Sequence, residues 1–337
     1  MKKEIEKKKL IQSLSGAVAL GVVAYFATGW PFFYFFTYAG KKKKQTKKKP
    51  KENKNAVKWF ALRHTIINHP RYENEDEYER GKAWCLAQPV KDWYIRGTDG
   101  VRLHASYLPA EKPERFIVMC HGYRGTWCGS MGHMAEFLHK NNCSLLMIDQ
   151  RGCEKSGGRY ITFGAKEKVD VTLWLERLEE INVNDLPIYL YGQSMGATTV
   201  LLASGLVLPE NVHGIIADCG FSSMKQQLKD IASGWFHLHF VELLLVRVDF
   251  FCRLFAGFSM RETKTTHALK KNKRPVLFFH GAKDTYVWPE NSRRNYDLCK
   301  AEKELVIFPK ARHLCCSYVD PELYQKKMTE FFRKYDR

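Results

Sequence analysis

The 337-residue chain has no charged residue between Leu10 and Gly40 and only three acidic residues among its first 54. Its ten cysteines form no Cys-x-x-Cys pair and no Cys/His zinc spacing, which excludes the common structural zinc modules and the dithiol redox motif. No internal repeat is present, and no low-complexity segment beyond one Lys tract. An apolar fraction of 45% with 13% aromatics excludes a disordered or collagen-like chain. No basic stripe interleaved with aromatics occurs behind the N-terminus, which argues against nucleic acid as a partner. The formal charge of +18 is therefore local in origin. Residues 1–54 hold 14 Lys against 3 Glu, a net +11, and the other 283 residues carry 40 basic and 33 acidic groups, a net +7.

The uncharged stretch reads as a membrane device. Spanning a bilayer takes about 20 apolar residues, and Leu10–Trp30 is long enough. Pro31 then breaks or kinks the helix, and Trp30, Phe32–Phe36 and Tyr38 suggest an interfacial aromatic belt. Lysines flank both ends, at positions 2, 3, 7, 8 and 9 and again at 41–44 and 47–49. A cleaved signal peptide would have a shorter apolar region of about 7–15 residues and a small-residue cleavage site, which Thr37-Tyr38-Ala39 matches poorly. A kinked hairpin lying in one leaflet is the other alternative. We expect an uncleaved single-pass anchor over residues 1–40, then a basic linker and helical lead-in over 41–90. The Lys tract either holds the linker on anionic headgroups or serves only as a topology signal. The richer Lys flank behind the anchor and the cysteine-rich body both favour a catalytic domain facing the cytoplasm.

From Lys91 onward the pattern is α/β. Lys91–Arg96 and Val101–Leu108 alternate around Thr98-Asp99-Gly100, which predicts a β-hairpin. Apolar strand-like runs follow at Phe116–Cys120, Cys143–Asp149, Pro187–Tyr191, Val212–Asp218, Pro275–His280 and Glu304–Phe308, separated by helical stretches such as Lys166–Ile181 and Gly196–Leu206. Continuous apolar strands between helices imply a parallel sheet covered on both faces. Phe221–Phe258 interrupts the alternation with an aromatic, helix-prone stretch too long for one crossover. It reads as an inserted lid, at about 221–262, or as an ordinary pair of core-packing helices.

Three strand ends carry the chemistry. Gly192-Gln193-Ser194-Met195-Gly196 follows a strand and opens a helix, the setting in which this five-residue pattern is informative. A serine on so tight a turn is lifted above the sheet, and the glycines leave room for the neighbouring backbone. A serine hydroxyl needs a base, and the base needs an orienting acid. Asp284 and His313 each lie in a loop behind an apolar strand, in the expected chain order Ser, Asp, His. Asp218, also at a strand end, is the reserve acid. His121 and His280 each precede a glycine at a strand end and read as structural. In His121-Gly122-Tyr123-Arg124-Gly125 the backbone N–H of Tyr123 is expected to face Ser194 and, with the Met195 N–H, to form an oxyanion hole. Losing one such donor typically costs about 3–4 kcal/mol of transition-state stabilisation. The Tyr123 side chain either lines an acyl pocket or packs.

With these residues in place the chain resembles the α/β-hydrolase superfamily of serine hydrolases. The resemblance rests on His121–Gly125, Asp149-Gln150-Arg151-Gly152 leading into Ser156-Gly157-Gly158, Gly192–Gly196, His280–Asp284 and His313. It covers roughly Lys91–Arg337 and is nearest to bacterial membrane-anchored hydrolases of the fermentation-respiration-switch and serine-aminopeptidase-like branches. It implies a mostly parallel eight-stranded sheet, a Ser194–Asp284–His313 triad, and no cofactor or metal. Cys315-Cys316 behind His313 departs from the small residues expected there. The implied activity is hydrolysis of a small acyl or lipid-like carboxylic ester through an acyl-enzyme. The alternatives are peptidase or thioesterase chemistry on the same triad, or a non-catalytic membrane-tethered binding protein.

Overall fold

The computed structural model describes residues 25–40, 74–238 and 240–336. Eight strands form one sheet: β1 (Lys91–Arg96), β2 (Arg102–Leu108), β3 (Arg115–Cys120), β4 (Cys143–Asp149), β5 (Ile188–Gln193), β6 (Val212–Asp218), β7 (Val276–Gly281) and β8 (Lys303–Phe308). Their order is β1-β2-β4-β3-β5-β6-β7-β8. β2 pairs antiparallel with β1 and β4, and every other pairing is parallel. The hairpin and the parallel core fall where the sequence places them. β1, at the edge, is largely exposed, whereas β3 to β5 and β7 are buried along their whole length.

Alternate residues of each central strand supply two separate cores, because successive side chains point to opposite faces. Ile117, Met119, Tyr189, Tyr191, Leu277 and Phe279 join one face. There they meet helices α2 (Glu75–Ala87), α3 (Gly132–Lys140) and α11 (Pro321–Tyr335). Phe116, Val118, Leu190 and Phe278 join the other, against α4 (Glu167–Glu179), α5 (Met195–Ala203), α8 (Thr265–Lys271) and α9 (Glu290–Leu298). Each large side chain buried in this way contributes about 1.5–3 kcal/mol before conformational entropy is subtracted. A four-residue helix, α10 (Cys316–Val319), follows the His313 loop.

The stretch between β6 and α8 contains α6 (Met224–Phe236), α7 (Glu242–Phe251), one π-helical turn at Cys252–Ala256 and one 3₁₀ turn at Met260–Thr263. Ser223 caps α6 by accepting from the Gln226 N–H at 3.1 Å. Leu228, Leu245, Val248 and Cys252 of this stretch bury into a third core, which also contains Met195, Phe163 and Phe221.

In the N-terminal segment helix at residues 25–27 gives way to a turn at 28–29, so the chain does break at the approach to Pro31. Pro31 itself stands in the first turn of the helix that follows, α1 (Trp30–Thr37), where its missing N–H costs nothing. Of the aromatics read as an interfacial belt, Trp30, Phe32, Tyr34 and Phe35 are exposed, whereas Phe33 turns into the body. Phe33 is fully buried in the third core, against Tyr160, Phe251 and Phe255. The Ala39 N–H donates to Arg159 O at 3.0 Å and the Ile161 N–H to Thr37 O at 2.7 Å. Among the described residues no helix is long and apolar enough to cross a membrane. Residues 10–24 of the expected anchor and the Lys tract at 41–49 lie outside the described residues.

Candidate active site

Ser194 follows β5 at the entry to α5, with φ 54° and ψ −119°. That left-handed backbone is strained for a serine, and strain of this kind costs of order 1–3 kcal/mol. Surrounding contacts hold it. A Cβ on Gly192 would lie 2.3 Å from Gly196 O, and one on Gly196 would lie 1.9 Å from Cys120 O, so neither position tolerates a side chain. The Ser194 N–H donates to Asp218 O at 2.8 Å.

Asp284 and His313 reach Ser194 from the ends of β7 and β8, two and three strands away in the sheet. The loops are tied together by the Lys283 N–H, which donates to Ala311 O at 2.9 Å. Asp284 Oδ1 accepts two backbone N–H groups, from Tyr286 and Val287, both at 2.9 Å. Its Oδ2 lies 2.7 Å from His313 Nδ1, and His313 Nε2 lies 3.1 Å from Ser194 Oγ. All three residues are buried. Burial alone would raise the Asp284 pKa, but the charge of His313 and hydrogen bonds from His280 and His313 outweigh it and hold the carboxyl well below its usual range. The ionised carboxylate accepts the Nδ1–H of His313, so Nε2 presents its lone pair and the Ser194 hydroxyl donates to it.

The loop behind β3 lies against the serine, since a Cβ on Gly122 would be 3.4 Å from Ser194 Cβ and 3.8 Å from its Oγ. Tyr123 comes next in that loop. Its ring stacks on Phe163, with centroids 5.3 Å apart, and its hydroxyl donates to Phe36 O at 2.7 Å, so packing accounts for the side chain. Met195 is the first helical residue of α5, and its N–H has no acceptor within the helix.

His121 sits beneath this loop. Its Nε2 accepts the Gln150 N–H at 3.1 Å, leaving Nδ1–H to donate to Gly122 O at 2.7 Å. Burial lowers its pKa, which suits that neutral tautomer. Gln150 also donates to His121 O and accepts from the Thr199 hydroxyl at 2.8 Å, so the loop behind β4 braces the loop behind β3. His280 bridges Ser292 Oγ at 2.6 Å and Val287 O at 2.8 Å, with Asp284 Oδ2 3.2 Å from its Nε2. Asp218, the reserve acid, is not hydrogen-bonded to His313. It accepts from the Tyr324 hydroxyl at 3.0 Å, and burial pushes its pKa up to about 6.

Sequence reasoning missed two aromatics beside the site. Tyr286 stands edge-on to the His313 ring at 4.9 Å, and Trp235 of α6 stacks on Tyr286 at 5.4 Å. The position of Tyr286 two residues after Asp284 was the only available signal. Among the described residues one group, Cys219, Asp284 and His313, brings metal-ligand atoms within 4.8 Å of one another. It suits a metal poorly. A metal ion would compete with the His313–Asp284 hydrogen bond, and burial with nearby Asp218 and Asp284 raises the Cys219 pKa, keeping the thiol protonated. All ten cysteines are free.

Comparison with known proteins agrees with this architecture. Residues 111–253 match the family model described as serine aminopeptidase, S33, and residues 247–315 match that of the FSH1 serine hydrolases. The uncharacterized protein YqkD of Bacillus subtilis is 30% identical over 215 residues, 64% of this chain and 70% of that protein. The α/β hydrolase domain-containing protein WAV2 of Arabidopsis thaliana is 26% identical, over 73% of this chain and 79% of its own. Among solved structures, Pyrococcus furiosus esterase Pf2001 superposes with a TM-score of 0.62 at 24% identity, covering 75% of this chain and 94% of the esterase. An eight-stranded, mostly parallel sheet, a serine on a strained strand-to-helix turn and these matches converge: the chain belongs to the α/β-hydrolase superfamily and is a serine hydrolase.

Proposed function

We propose that this serine hydrolase cleaves carboxylic esters through Ser194, His313 and Asp284. The observation that carries this reading is the hydrogen-bonded chain Ser194 Oγ–His313–Asp284, at 3.1 and 2.7 Å, with the second carboxylate oxygen fixed by two backbone N–H groups. Ser194 Oγ attacks the acyl carbonyl while His313 Nε2 takes the hydroxyl proton. The tetrahedral oxyanion is met by the Met195 and Tyr123 N–H groups. Collapse expels the alcohol, which takes the proton back from His313. Water, deprotonated by the same Nε2, then releases the acid and restores Ser194. Asp284 stays ionised and holds the imidazole in one tautomer. No step calls for a metal or cofactor.

The aromatic surroundings of the serine, Tyr123, Phe163, Phe221 and Tyr286, favour an acyl chain, and α6–α7 acts as a lid over it. In this reading residues 10–30 anchor the chain in a membrane, the Lys tract lies on the headgroups, and the catalytic body faces the cytoplasm. Fluorophosphonate labelling tests the nucleophile: Ser194→Ala abolishes labelling, and undiminished labelling of that variant overturns the mechanism. A series of p-nitrophenyl esters from acetyl to palmitoyl tests the acyl site, and turnover of acetyl alone removes the lipid-like reading. The likeness to Pyrococcus horikoshii acylaminoacyl peptidase, which this chain matches over 41% of that enzyme's length at a TM-score of 0.56, favours adding a peptidyl p-nitroanilide arm. Faster turnover of the anilide would make the chain a peptidase on the same triad.

A further inference from the structure

Among the described residues, exposed large apolar side chains concentrate in one place. Of 19 large apolar side chains exposed among the described residues, 13 fall in two stretches, 25–35 and 236–255. The two stretches lie together. Trp30 packs edge-on against Phe251 and Phe255, at 5.4 and 4.9 Å, and Phe26 meets Phe250 at 4.7 Å. The chain just ahead of α1 passes so close to α7 that a Cβ on Gly29 would lie 2.6 Å from Arg247 Cβ, and Arg247 donates to the Thr28 hydroxyl and to Tyr25 O.

α7 is apolar on two opposite sides. Leu245 and Val248 face the third core, where Met195 also sits. Leu243 and Val246, with Leu254 a turn beyond the helix, face outward and are more than half exposed, as are Phe35 of α1 and Phe240 just before α7. A helix apolar all round is normally buried on all sides, and a soluble monomer rarely leaves so large a contiguous apolar patch open.

The adjoining sequence indicates what covers it. Residues 10–24, which lead into Tyr25, contain no charge and are preceded by five lysines. Behind Gly40 come seven more lysines within nine residues. An apolar surface entered and left by Lys-rich chain complements an anionic bilayer, with aromatics and aliphatics in the acyl boundary and lysines among the headgroups. It complements a second copy less well, since the two Lys-rich flanks would then repel.

We propose that α1 and α7 form a membrane-docking face that seats the folded body on an anionic bilayer, in addition to any anchor at residues 10–30. α1 is also tied to the loop beside Ser194: besides the Tyr123 bond to Phe36 O, Arg124 donates to Phe35 O at 2.9 Å and to Tyr38 O at 2.8 Å. Docking on this face therefore brings the serine site to the lipid phase, so that bilayer acyl esters are its substrates. That last step rests on the ester-hydrolase reading, but the docking itself does not.

The test uses the full chain in vesicles of phosphatidylcholine and phosphatidylserine that contain a spin-labelled lipid quencher. A fluorophore is placed at Phe240→Cys in a Cys128→Ser background, and a control at Val207→Cys, which is exposed near the opposite end of the sheet. Docking predicts quenching at 240 by about twofold or more over that at 207. Equal quenching at the two sites overturns the proposal, as does cross-linking between two copies through position 240 that lipid does not dissolve. Independently, Phe240→Ser/Leu243→Ser/Val246→Ser slows hydrolysis of a vesicle-borne long-chain ester by about tenfold relative to that of a soluble butyryl ester. An unchanged ratio of the two rates counts against docking. If the wild type hydrolyses neither ester while the quenching holds, the ester reading fails and the docking face stands.

Discussion

Replacing Asp284 with Asn separates the roles of charge and position in the proposed triad. Oδ1 of Asp284 accepts two backbone N–H groups at 2.9 Å, so the amide oxygen of the variant must occupy that place. Its NH₂ then faces His313 Nδ1 at 2.7 Å and His280 Nε2 at 3.2 Å. A donor opposite Nδ1 drives the imidazole proton to Nε2, which turns an N–H toward Ser194 Oγ in place of a lone pair. The base is lost although every heavy atom stays put. Inverting the tautomer in a Ser-His-Asp site lowers kcat by about 10⁴, or roughly 5 kcal/mol in the barrier. Stability changes as well. The Asp284 pKa is held below its unfolded value, so the carboxylate contributes stability above about pH 4 and loses it as pH falls through the folded pKa. Asp284→Asn should therefore melt below wild type at pH 7, with the gap closing on acidification. The assay is kcat on a short-chain p-nitrophenyl ester, well below the variant's melting temperature. Retention of more than a tenth of wild-type kcat would refute the tautomer argument.

Asp218→Asn should act in the opposite sense. Burial raises the Asp218 pKa to about 6, so the ionised carboxylate destabilises the fold as pH rises from about 4 to 6 and above. The variant should gain about 3 kcal/mol over wild type in denaturant unfolding at pH 8 and nothing at pH 4; an equal gap at both pH values rejects the titration account. Gly196→Ala sets a Cβ 1.9 Å from Cys120 O, inside a central strand that cannot shift, and should cost roughly 4 kcal/mol or more. Soluble yield and fluorophosphonate labelling both report that loss, and wild-type levels of each would contradict it. With an aromatic disulfide reagent, the native protein should show one rapidly reacting thiol, the half-buried Cys128, and all ten in denaturant. Several fast thiols would mean that the cores open readily.

Sequence legibility followed the physics of each segment. β4 and β6 fall at the bounds read from the sequence because strands buried on both faces are continuous apolar runs. The strand-end loops of Ser194 and Asp284 were legible because glycines mark the turns, and that of His313 because it follows directly on an apolar strand. That Phe33 turns into the body was not legible because an apolar run looks the same whether it faces outward or into a protein core. Only the tertiary partners Tyr160, Phe251 and Phe255 distinguish the two. Asp218 looked available as an acid because its partner, the Tyr324 hydroxyl, lies 106 residues away. Tyr286 and Trp235 escaped notice because aromatics at a loop and a helix end carry no periodicity.

The burial of Phe33 and the bridge between Tyr38 and Tyr160 bear on the protein's response to proteolysis. Residues 30–39 are fastened to the body, and so is α2, beginning at Glu75. The Lys-rich stretch between them is thus fixed at both ends, a closed circuit. A protease that cuts at Lys41–Lys49 opens the circuit without freeing either side. The nicked protein would migrate as two chains under denaturing conditions, yet keep its N-terminal piece until it unfolds.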